Sequence, residues 1–356
     1  MSAASDRRAD GAADEAGAAR LTRSRGALAW GLAAVALLAA FLGALAVGRF
    51  PIAPAELPAL LFGRASGPAA AVFWHVRLPR VAAAGLVGAC LAAAGAAFQG
   101  MFRNPLASPD LLGVSAGASL GAVLGIFFGL PVAAIQGMAF AGGIAAVATV
   151  AALAGAVRGP AGYGGDPVLV LVLAGVALGA LMGAGIGLLK TLADPYNQLP
   201  AITFWLLGTL SGATRGDVLA AAPPAAVGLI GLFLLRWRLN LLTLGEDEAR
   251  ALGVDTGALR ASAVALATLA TAAVTALAGA VGWIGLVVPH MARLLGGPDL
   301  RRSLPLSMVL GAAFLLAVDT VARTAGRVEV PLGVLTAVLG TPLFLWLLAR
   351  ARRGTA

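Results

Sequence analysis

The feature that most constrains this chain is a series of apolar runs, each close to the roughly 20 residues that cross a bilayer as a helix. Of its 356 residues, 60% are hydrophobic and only 12% are charged. Inside lipid, backbone polar groups must be satisfied within the chain, and a helix satisfies them locally. We therefore predict an all-α polytopic membrane protein.

The apolar runs predict ten transmembrane helices. Residues 283–295 are too few for a full crossing unless that helix is tilted or broken, and 202–210 are expected to form a helix at the membrane surface. Residues 102–110 are interpreted as a polar turn. The ten predicted spans cover residues 27–47, 81–101, 111–130, 132–157, 168–189, 218–235, 261–281, 283–295, 304–322 and 332–348.

The distribution of arginines predicts the orientation. Ten crossings place both termini on one side, and the termini and loops of that side hold 17 of the 25 Lys and Arg residues. Because cytoplasmic loops carry an excess of positive residues, both termini are predicted to be cytoplasmic. The predicted organisation is a disordered N-terminus (1–26), a transmembrane domain (27–350) and a cytoplasmic tail (351–356). Spans two to five and seven to ten then have opposite topology, which predicts an inverted repeat.

The longest charged interruption of the apolar pattern covers residues 236–260. Thr243 precedes Glu246 by three residues, the spacing of a capping box, and acidic residues fill the first turn of the short helix that follows. This helix is expected to stop at Gly253, and Asp255 is a candidate N-cap for a second short helix through Arg260. Two small helices outside the membrane, over 243–260, indicate a contact with another protein.

Two runs contain glycine at every fourth position, a spacing that places all members on one helix face. A glycine face allows a neighbouring backbone to approach closely. Such packing within one subunit explains both runs; alternatively, span five, bounded by Pro167 and Pro195, borders a pathway or a subunit interface. The two ladders are Gly113, Gly117, Gly121, Gly125 and Gly129 in span three, and Gly175, Gly179, Gly183 and Gly187 in span five.

Ionisable residues at the ends of spans are costly in lipid and therefore suggest a function. Asp319 and Arg323 are four residues apart, so a mutual ion pair explains them. Arg77 and Arg80 have no acid close in sequence. They indicate either an acidic partner or anionic substrate at the outer face, or arginines that snorkel without a partner.

Residues for catalysis are scarce. The two histidines, His75 and His290, have no neighbour at metal-ligand spacing, and the sequence 185–191 lacks the glycine that a phosphate loop places before its lysine. We predict a non-catalytic chain that binds no metal, cofactor or nucleic acid and cannot hydrolyse ATP. A proton-coupled carrier is an alternative, but it would require more acids within the spans. A non-transporting membrane scaffold is another, and it would leave the charged segment without a purpose.

Seven motifs in this sequence closely resemble those of the FecCD-type permeases, the membrane subunits of ATP-driven importers for ferric siderophores, haem and vitamin B12. The resemblance covers about residues 27–350. The motifs are RLPR (77–80), QGMFRNPLASPDLLGVSAGA (99–118), LAGVALG (173–179), GEDEARALG (245–253), GLVVPHMARL (285–294), DTVAR (319–323) and PLGVLTAVLGTP (331–342).

The resemblance implies ten helices per subunit, a homodimer in the bacterial inner membrane, two cytoplasmic ATPase subunits that hold ATP and Mg²⁺, and a periplasmic binding protein. Arg77, Arg80 and Arg323 match arginines that dock the binding protein. The implied ATPase-coupling residues are Glu246, Asp247, Glu248, Arg250, Leu252 and Gly253. The implied pathway and gate residues are Asp166, Pro167, Val168, Leu169, Gly175, Gly179 and Gly183, near a glycine-rich break at 158–166. At 166–169 the sequence departs from the small hydroxyl residues of the vitamin B12 permease.

The resemblance also suggests a cargo. Residues 188–194 and 202–213 are most similar to the haem permeases. A pathway of Gly, Ala, Leu and Val suits a large, flat, apolar ligand. Haem is therefore the favoured cargo, with ferric siderophores or vitamin B12 as alternatives.

Overall fold

The computed structural model describes residues 26–157 and 167–353, and every regular element in those ranges is helical. The predicted all-α membrane fold is confirmed. The predictions for residues 1–25, for the break at 158–166 and for the last three residues lie outside the described ranges. The helices are α1 (Gly26–Ala46), α2 (Leu57–Leu61), α3 (Pro68–Met101), α4 (Val114–Phe127), α5 (Val132–Val157), α6 (Pro167–Leu192), α7 (Gln198–Leu207), α8 (Arg215–Leu242), α9 (Glu246–Ala251), α10 (Thr256–Ala278), α11 (Ile284–Gly296), α12 (Leu300–Thr324) and α13 (Leu332–Arg353).

Seven of the described helices are long and apolar enough to cross a membrane: α1, α3, α5, α6, α8, α10 and α12. The shorter helices α4, α11 and α13 occupy the positions of predicted spans three, eight and ten. The count of ten full crossings stays a prediction, as does the inverted repeat. Helix α7 has only ten residues, which agrees with the predicted helix that does not cross.

Helix α3 is the centre of the bundle. In its most apolar stretch 78% of residues are buried, against 6% for α6. Small residues allow its neighbours to approach closely: a Cβ on Gly88 would overlap the Gly311 carbonyl of α12, and a Cβ on Gly95 would overlap the Gly285 carbonyl of α11. The core therefore depends on backbone-to-backbone packing more than on large side chains.

A proline in α11 is compensated by a side chain of α3. Pro289 has no N–H, so the carbonyl of Gly285 loses its usual helical partner. The Gln99 amide donates to the carbonyl oxygens of Gly285 at 3.1 Å and of Leu286 at 3.2 Å. This replacement satisfies the freed carbonyl and fixes α11 against α3.

The main differences from the predicted boundaries are at four places. Helix α3 begins at Pro68, 13 residues before the predicted start of span two at 81, so part of the predicted surface loop is helical. Helix α8 runs to Leu242 instead of ending at 235, because the arginine-containing segment continues the helix. The second short helix predicted after Asp255 is the first part of the long α10. Span three begins at Val114, after a 3₁₀ turn over Pro109–Leu112, and the preceding residues 107–109 are buried instead of forming a surface turn.

Candidate functional site

Helix α9 is the short helix predicted in the charged segment. It covers Glu246–Ala251, and Gly253, with φ of 79°, ends it in the left-handed conformation. The predicted N-cap Asp255 accepts from the Ala258 N–H at 2.9 Å. The prediction that Thr243 forms a capping box with Glu246 is wrong. Thr243 is instead the C-cap of α8, and its hydroxyl donates to the Asn240 carbonyl at 2.7 Å.

Glu246 connects α9 to α10. Its carboxylate accepts from Arg250 at 2.6 Å within α9, and from Arg260 at 3.0 Å and Thr256 at 3.3 Å in α10. Partial burial alone would raise the pKa of Glu246, but Arg260 and Arg250 outweigh it and hold that pKa below its ordinary value. The short helix therefore has a fixed orientation on the body.

The remaining predicted coupling residues lie on the open side of α9. Asp247, Glu248, Arg250 and Gly253 are exposed, and the Leu252 side chain is 62% exposed. The structure thus separates Glu246, which is engaged within the chain, from the other five residues, which remain accessible. An exposed leucine beside charged residues suits a protein contact.

At the opposite end of α3, Arg77 and Arg323 bind the last carbonyls of α1. Arg77 donates to Leu45 at 2.6 Å and to Ala46 at 3.1 Å, and Arg323 donates to Ala44 at 2.7 Å and to Val47 at 2.8 Å. Cations suit the C-terminus of a helix, where the carbonyls have no helical partner. A Cβ on Gly48 would stand 2.6 Å from one guanidinium nitrogen of Arg77, so a larger residue there would displace this guanidinium group.

Arg80 has two acidic partners. One edge of its guanidinium binds Asp319 at 2.8 and 2.9 Å, and the other edge binds Glu329, with one contact at 3.1 Å. The predicted Asp319–Arg323 ion pair is confirmed at 3.3 Å. Arg80 and Asp319 are buried, whereas the Glu329 side chain is 22% exposed.

Sequence reasoning missed Glu329. It lies 249 residues from Arg80 and follows a loop after α12, so spacing gives no signal for the pair. The docking role predicted for Arg77, Arg80 and Arg323 stays a prediction. Their guanidinium groups nevertheless bind groups of their own chain, and Glu329 is the partly exposed acid among those groups.

The predicted pathway and gate residues are on or beside α6. Asp166 lies outside the described residues, and Pro167 begins the helix. Leu169 is exposed, and Val168 lines a cavity of about 760 Å³ between α3, α5, α6 and α10. Among the described residues, Gly175 contacts the Leu111 carbonyl, whereas Gly179 and Gly183 face open space.

This large cavity extends from the bundle to the charged segment. Its walls are apolar, with Val147, Leu171 and Val264 from three helices, and its rim includes Arg250 and Arg260. The α9 contact and the first turn of α6 therefore border one space. A displacement of α9 would change the shape of the cavity next to the predicted gate.

Comparison with known proteins agrees with the motifs. The profile of the FecCD transport family matches residues 36–350. A probable iron chelatin transport system permease protein of Helicobacter pylori is 42% identical over 281 residues, covering 79% of this chain and 83% of the relative. The hemin transport system permease protein HmuU of Yersinia pestis is 40% identical over 293 residues, covering 78% and 84%. The molybdate import system permease protein MolB of Haemophilus influenzae is 35% identical over 315 residues, covering 87% and 92%.

A solved structure has the same fold. An inward-facing conformation of a putative metal-chelate type ABC transporter superposes with a TM-score of 0.81 at 34% identity, covering 91% of this chain and 99% of that chain. On the match over residues 36–350, this multi-pass membrane protein belongs to the FecCD transport family.

Proposed function

We propose that this chain is the permease subunit of an ABC importer, driven by ATP that separate cytoplasmic subunits hydrolyse. The observation that carries the proposal is helix α9, which Glu246 holds rigidly on α10 while Asp247, Arg250 and Leu252 stay exposed. A rigid, exposed helix at a bundle end can transmit a displacement of a partner subunit to the spans.

We further propose that two copies of the chain assemble with α6 at their interface. The face of α6 that carries Gly179 and Gly183 is open in the described chain, and only 6% of the helix's most apolar stretch is buried. A glycine face without a neighbour suits a second copy at close distance, with a pathway between the two copies. Nucleotide binding and the docked binding protein would both bias this pathway between inward and outward access.

The periplasmic binding protein is proposed to dock at the end that holds Arg77, Arg80 and Arg323. Arg77 and Arg323 hold α1 in place, so the edge of Arg80 that Glu329 occupies is the one that can donate to a partner's carboxylate. Docking there requires the partner's acid to displace Glu329. Exposed Arg49, Arg64 and Arg327 surround this region and can supply attraction at longer range.

For the cargo we propose an iron-containing chelate, with haem favoured over a ferric siderophore or vitamin B12. The apolar walls of the pathway region and the relatives that transport iron chelatin and hemin support this proposal. The molybdate relative is a reason to test the cargo directly. The ligand that copurifies with the cognate binding protein identifies it.

Reconstitution tests the driving force. Proteoliposomes that contain this chain, its ATPase and the binding protein are expected to import iron-labelled haem with ATP and not with a non-hydrolysable analogue. Import that follows a proton gradient without ATP would sink the proposal.

A charge reversal tests the role of α9. Arg250→Glu is expected to reduce assembly with the ATPase at least tenfold, because it places an acid beside Glu246 and Asp247 on the contact face. Arg302→Glu makes the same change at another exposed arginine near this end, at the start of α12, and should assemble normally. Equal loss in both variants would indicate a general charge effect instead of a specific contact.

Removal of the competing acid tests docking. Glu329→Gln leaves Arg80 bound to Asp319 and replaces the competing carboxylate by a neutral amide, which a partner's acid displaces more easily. Association with the binding protein should therefore become several-fold tighter at low salt. Glu56→Gln, an exposed acid in a short helix after α1, is the matched control. Unchanged association of Glu329→Gln would contradict docking on Arg80.

A further inference from the structure

Asp110 lies about halfway across the membrane part of the chain, although its place between two predicted spans suggests a surface turn. It lines a small cavity with Leu91, Thr271 and Trp283. Leu91 lies about 20 Å along the axis from Leu78 and about 15 Å from Met101, at 1.5 Å per residue. The chain therefore folds back into the bundle after α3 and carries a carboxylate to its middle.

The Asp110 residue is exposed at this depth. A carboxylate facing hydrocarbon costs at least about 2.5 kcal/mol at the bilayer centre, so an exposed mid-depth acid is expected to face water. Its neighbour Leu111 lies against α6, where a Cβ on Gly175 would overlap the Leu111 carbonyl oxygen. Asp110 is thus beside the helix whose glycine face is open.

Within the described residues Asp110 has no salt-bridge partner, and it accepts one hydrogen bond, from the Ser115 hydroxyl. Asp319, in contrast, is fully buried between Arg80 and Arg323. A carboxylate can accept several hydrogen bonds, so Asp110 has unused acceptor capacity. Contacts within the described chain do not account for the unused acceptor sites of the Asp110 carboxylate.

A second unsatisfied group lines the same cavity. Thr271 is 1% exposed, and its hydroxyl has no hydrogen-bond partner in the part of the chain that the structure describes. Buried hydroxyls are normally paired, and this cavity of about 10 Å³ has room for about one water, so the free hydroxyl points to a bound water behind Asp110. Ser108 adds another hydroxyl to the cavity wall.

The cavity also lies at a break between two helices. Helix α10 ends at Ala278, the following Gly279 and Trp283 have φ of 71° and 70°, and α11 begins at Ile284. Transporter substrate sites are commonly built near the midplane where helices are discontinuous. The acid, the free hydroxyl and the break thus converge at one depth.

We propose that the exposed carboxylate of Asp110, with Ser115 beside it and a water held by Ser108 and Thr271 behind it, forms a mid-membrane contact for the cargo. This contact receives hydrogen-bond donors of a neutral or cationic chelate, such as amine, hydroxyl or metal-bound water hydrogens. The carboxylate disfavours small oxyanions at the same place by repulsion. This inference rests on the proposed function for the identity of the pathway. It narrows the class of cargo to a neutral or cationic iron chelate and disfavours haem, whose two propionates make it an anion.

The site can be probed without knowing the cargo. In the assembled transporter, Ser115→Cys places a thiol next to Asp110, and its reaction rates with a cationic and an anionic methanethiosulfonate of similar size are compared. With Asp110 present, the cationic reagent should react about tenfold faster relative to the anionic one, because a unit charge a few ångströms away biases both. Adding Asp110→Asn should reduce this ratio to near that of a free thiol.

Two controls accompany this measurement. Ser119→Cys, one turn further along α4 and only 6% exposed, should react slowly with both reagents, and so should the buried native Cys90. A slow Ser115→Cys reaction, or a cation preference that survives Asp110→Asn, would overturn the proposed site. Because thiol labelling needs no ATP, the labelling result does not depend on whether import is driven by ATP.

Uptake adds a functional readout. Asp110→Asn is expected to lower ATP-driven uptake of an iron-labelled neutral or cationic hydroxamate chelate at least fivefold, measured at equal amounts of assembled transporter. Normal uptake would overturn the cargo role of Asp110. If the unsubstituted transporter takes up molybdate or haem and not this chelate, the cargo class inferred from Asp110 is wrong even where ATP-driven import holds.

Discussion

The two glycine ladders share one sequence pattern but have different surroundings. In α4, a Cβ on Gly117 would overlap Gly142, one on Gly121 would overlap the Met138 carbonyl, and one on Gly125 would stand 3.1 Å from Ile135. In α6, an added Cβ on Gly179, Gly183 or Gly187 would meet nothing within 4 Å among the described residues. The first ladder is an internal contact between α4 and α5, and the second is a surface.

The ends of the α4 ladder have another role. Gly113 and Gly129 have φ of 78° and 65°, and they lie just before and just after the helix. They terminate α4 in conformations that glycine adopts without strain. The repeat of glycine every four residues therefore includes positions that pack against α5 and positions that flank α4. The sequence spacing is the same for both, and only the contacts in the structure distinguish them.

The largest effect is expected at Gly121. Gly121→Ala places a methyl group against the fixed Met138 carbonyl, and overpacking of this kind costs about 1–3 kcal/mol. Gly137→Ala, at an exposed position of α5 with nothing within 4 Å, is the control. Thermal unfolding of the detergent-solubilised protein checks this prediction, and equal melting temperatures for the two variants would contradict the close contact.

A smaller loss is expected at Gly175, the one member of the α6 ladder with a close neighbour. Its Cβ would overlap the Leu111 carbonyl, which belongs to a short 3₁₀ turn that can shift more readily than a long helix. In the monomeric chain, Gly175→Ala should therefore lower the melting temperature less than Gly121→Ala, while Gly179→Ala should leave it unchanged. A loss at Gly179 as large as at Gly175 in the monomer would show that α6 is covered within one subunit.

A substitution at Gly183 is expected to leave the stability of the monomer unchanged. A cysteine at this position instead tests whether a second copy of the chain lies against α6. In membranes, Gly183→Cys should form a cross-linked dimer with a short bis-maleimide, because the proposed interface brings the two α6 helices together. Val227→Cys, also exposed but on α8, should remain monomeric. Cross-linking at 227 and not at 183 would assign the interface to another face.

The smallest effect on stability is expected from the ion pair between Glu246 and Arg260. The packing of glycines does not depend on pH, whereas this ion pair does. Because the folded-state pKa of Glu246 lies below its ordinary value of about 4.3, its contribution is complete above that value and is lost as pH falls through the lowered pKa. Glu246→Gln should flatten this part of the pH–stability profile, and an unchanged profile would contradict the link.

Local patterns in the sequence were sufficient for the helical class, most span positions and the short charged helix. Apolar run length, the acidic first turn at Glu246 and the glycine stop at Gly253 all depend on neighbours within a few residues. Thr243 shows the limit of such reasoning, because its local sequence fits both an N-cap of α9 and a C-cap of α8. It is the C-cap because α8 continues to Leu242.

Only the tertiary structure decided which charges are paired and which glycines are covered. Arg80 finds its acids 239 and 249 residues away, and Asp110 reaches the middle of the bundle because the chain folds back after α3. Spacing in sequence specifies which residues share a helix face, since that face follows from the helical repeat. What covers that face is determined by the packing of distant helices, and for α6 we expect it to be determined by a second copy of the chain.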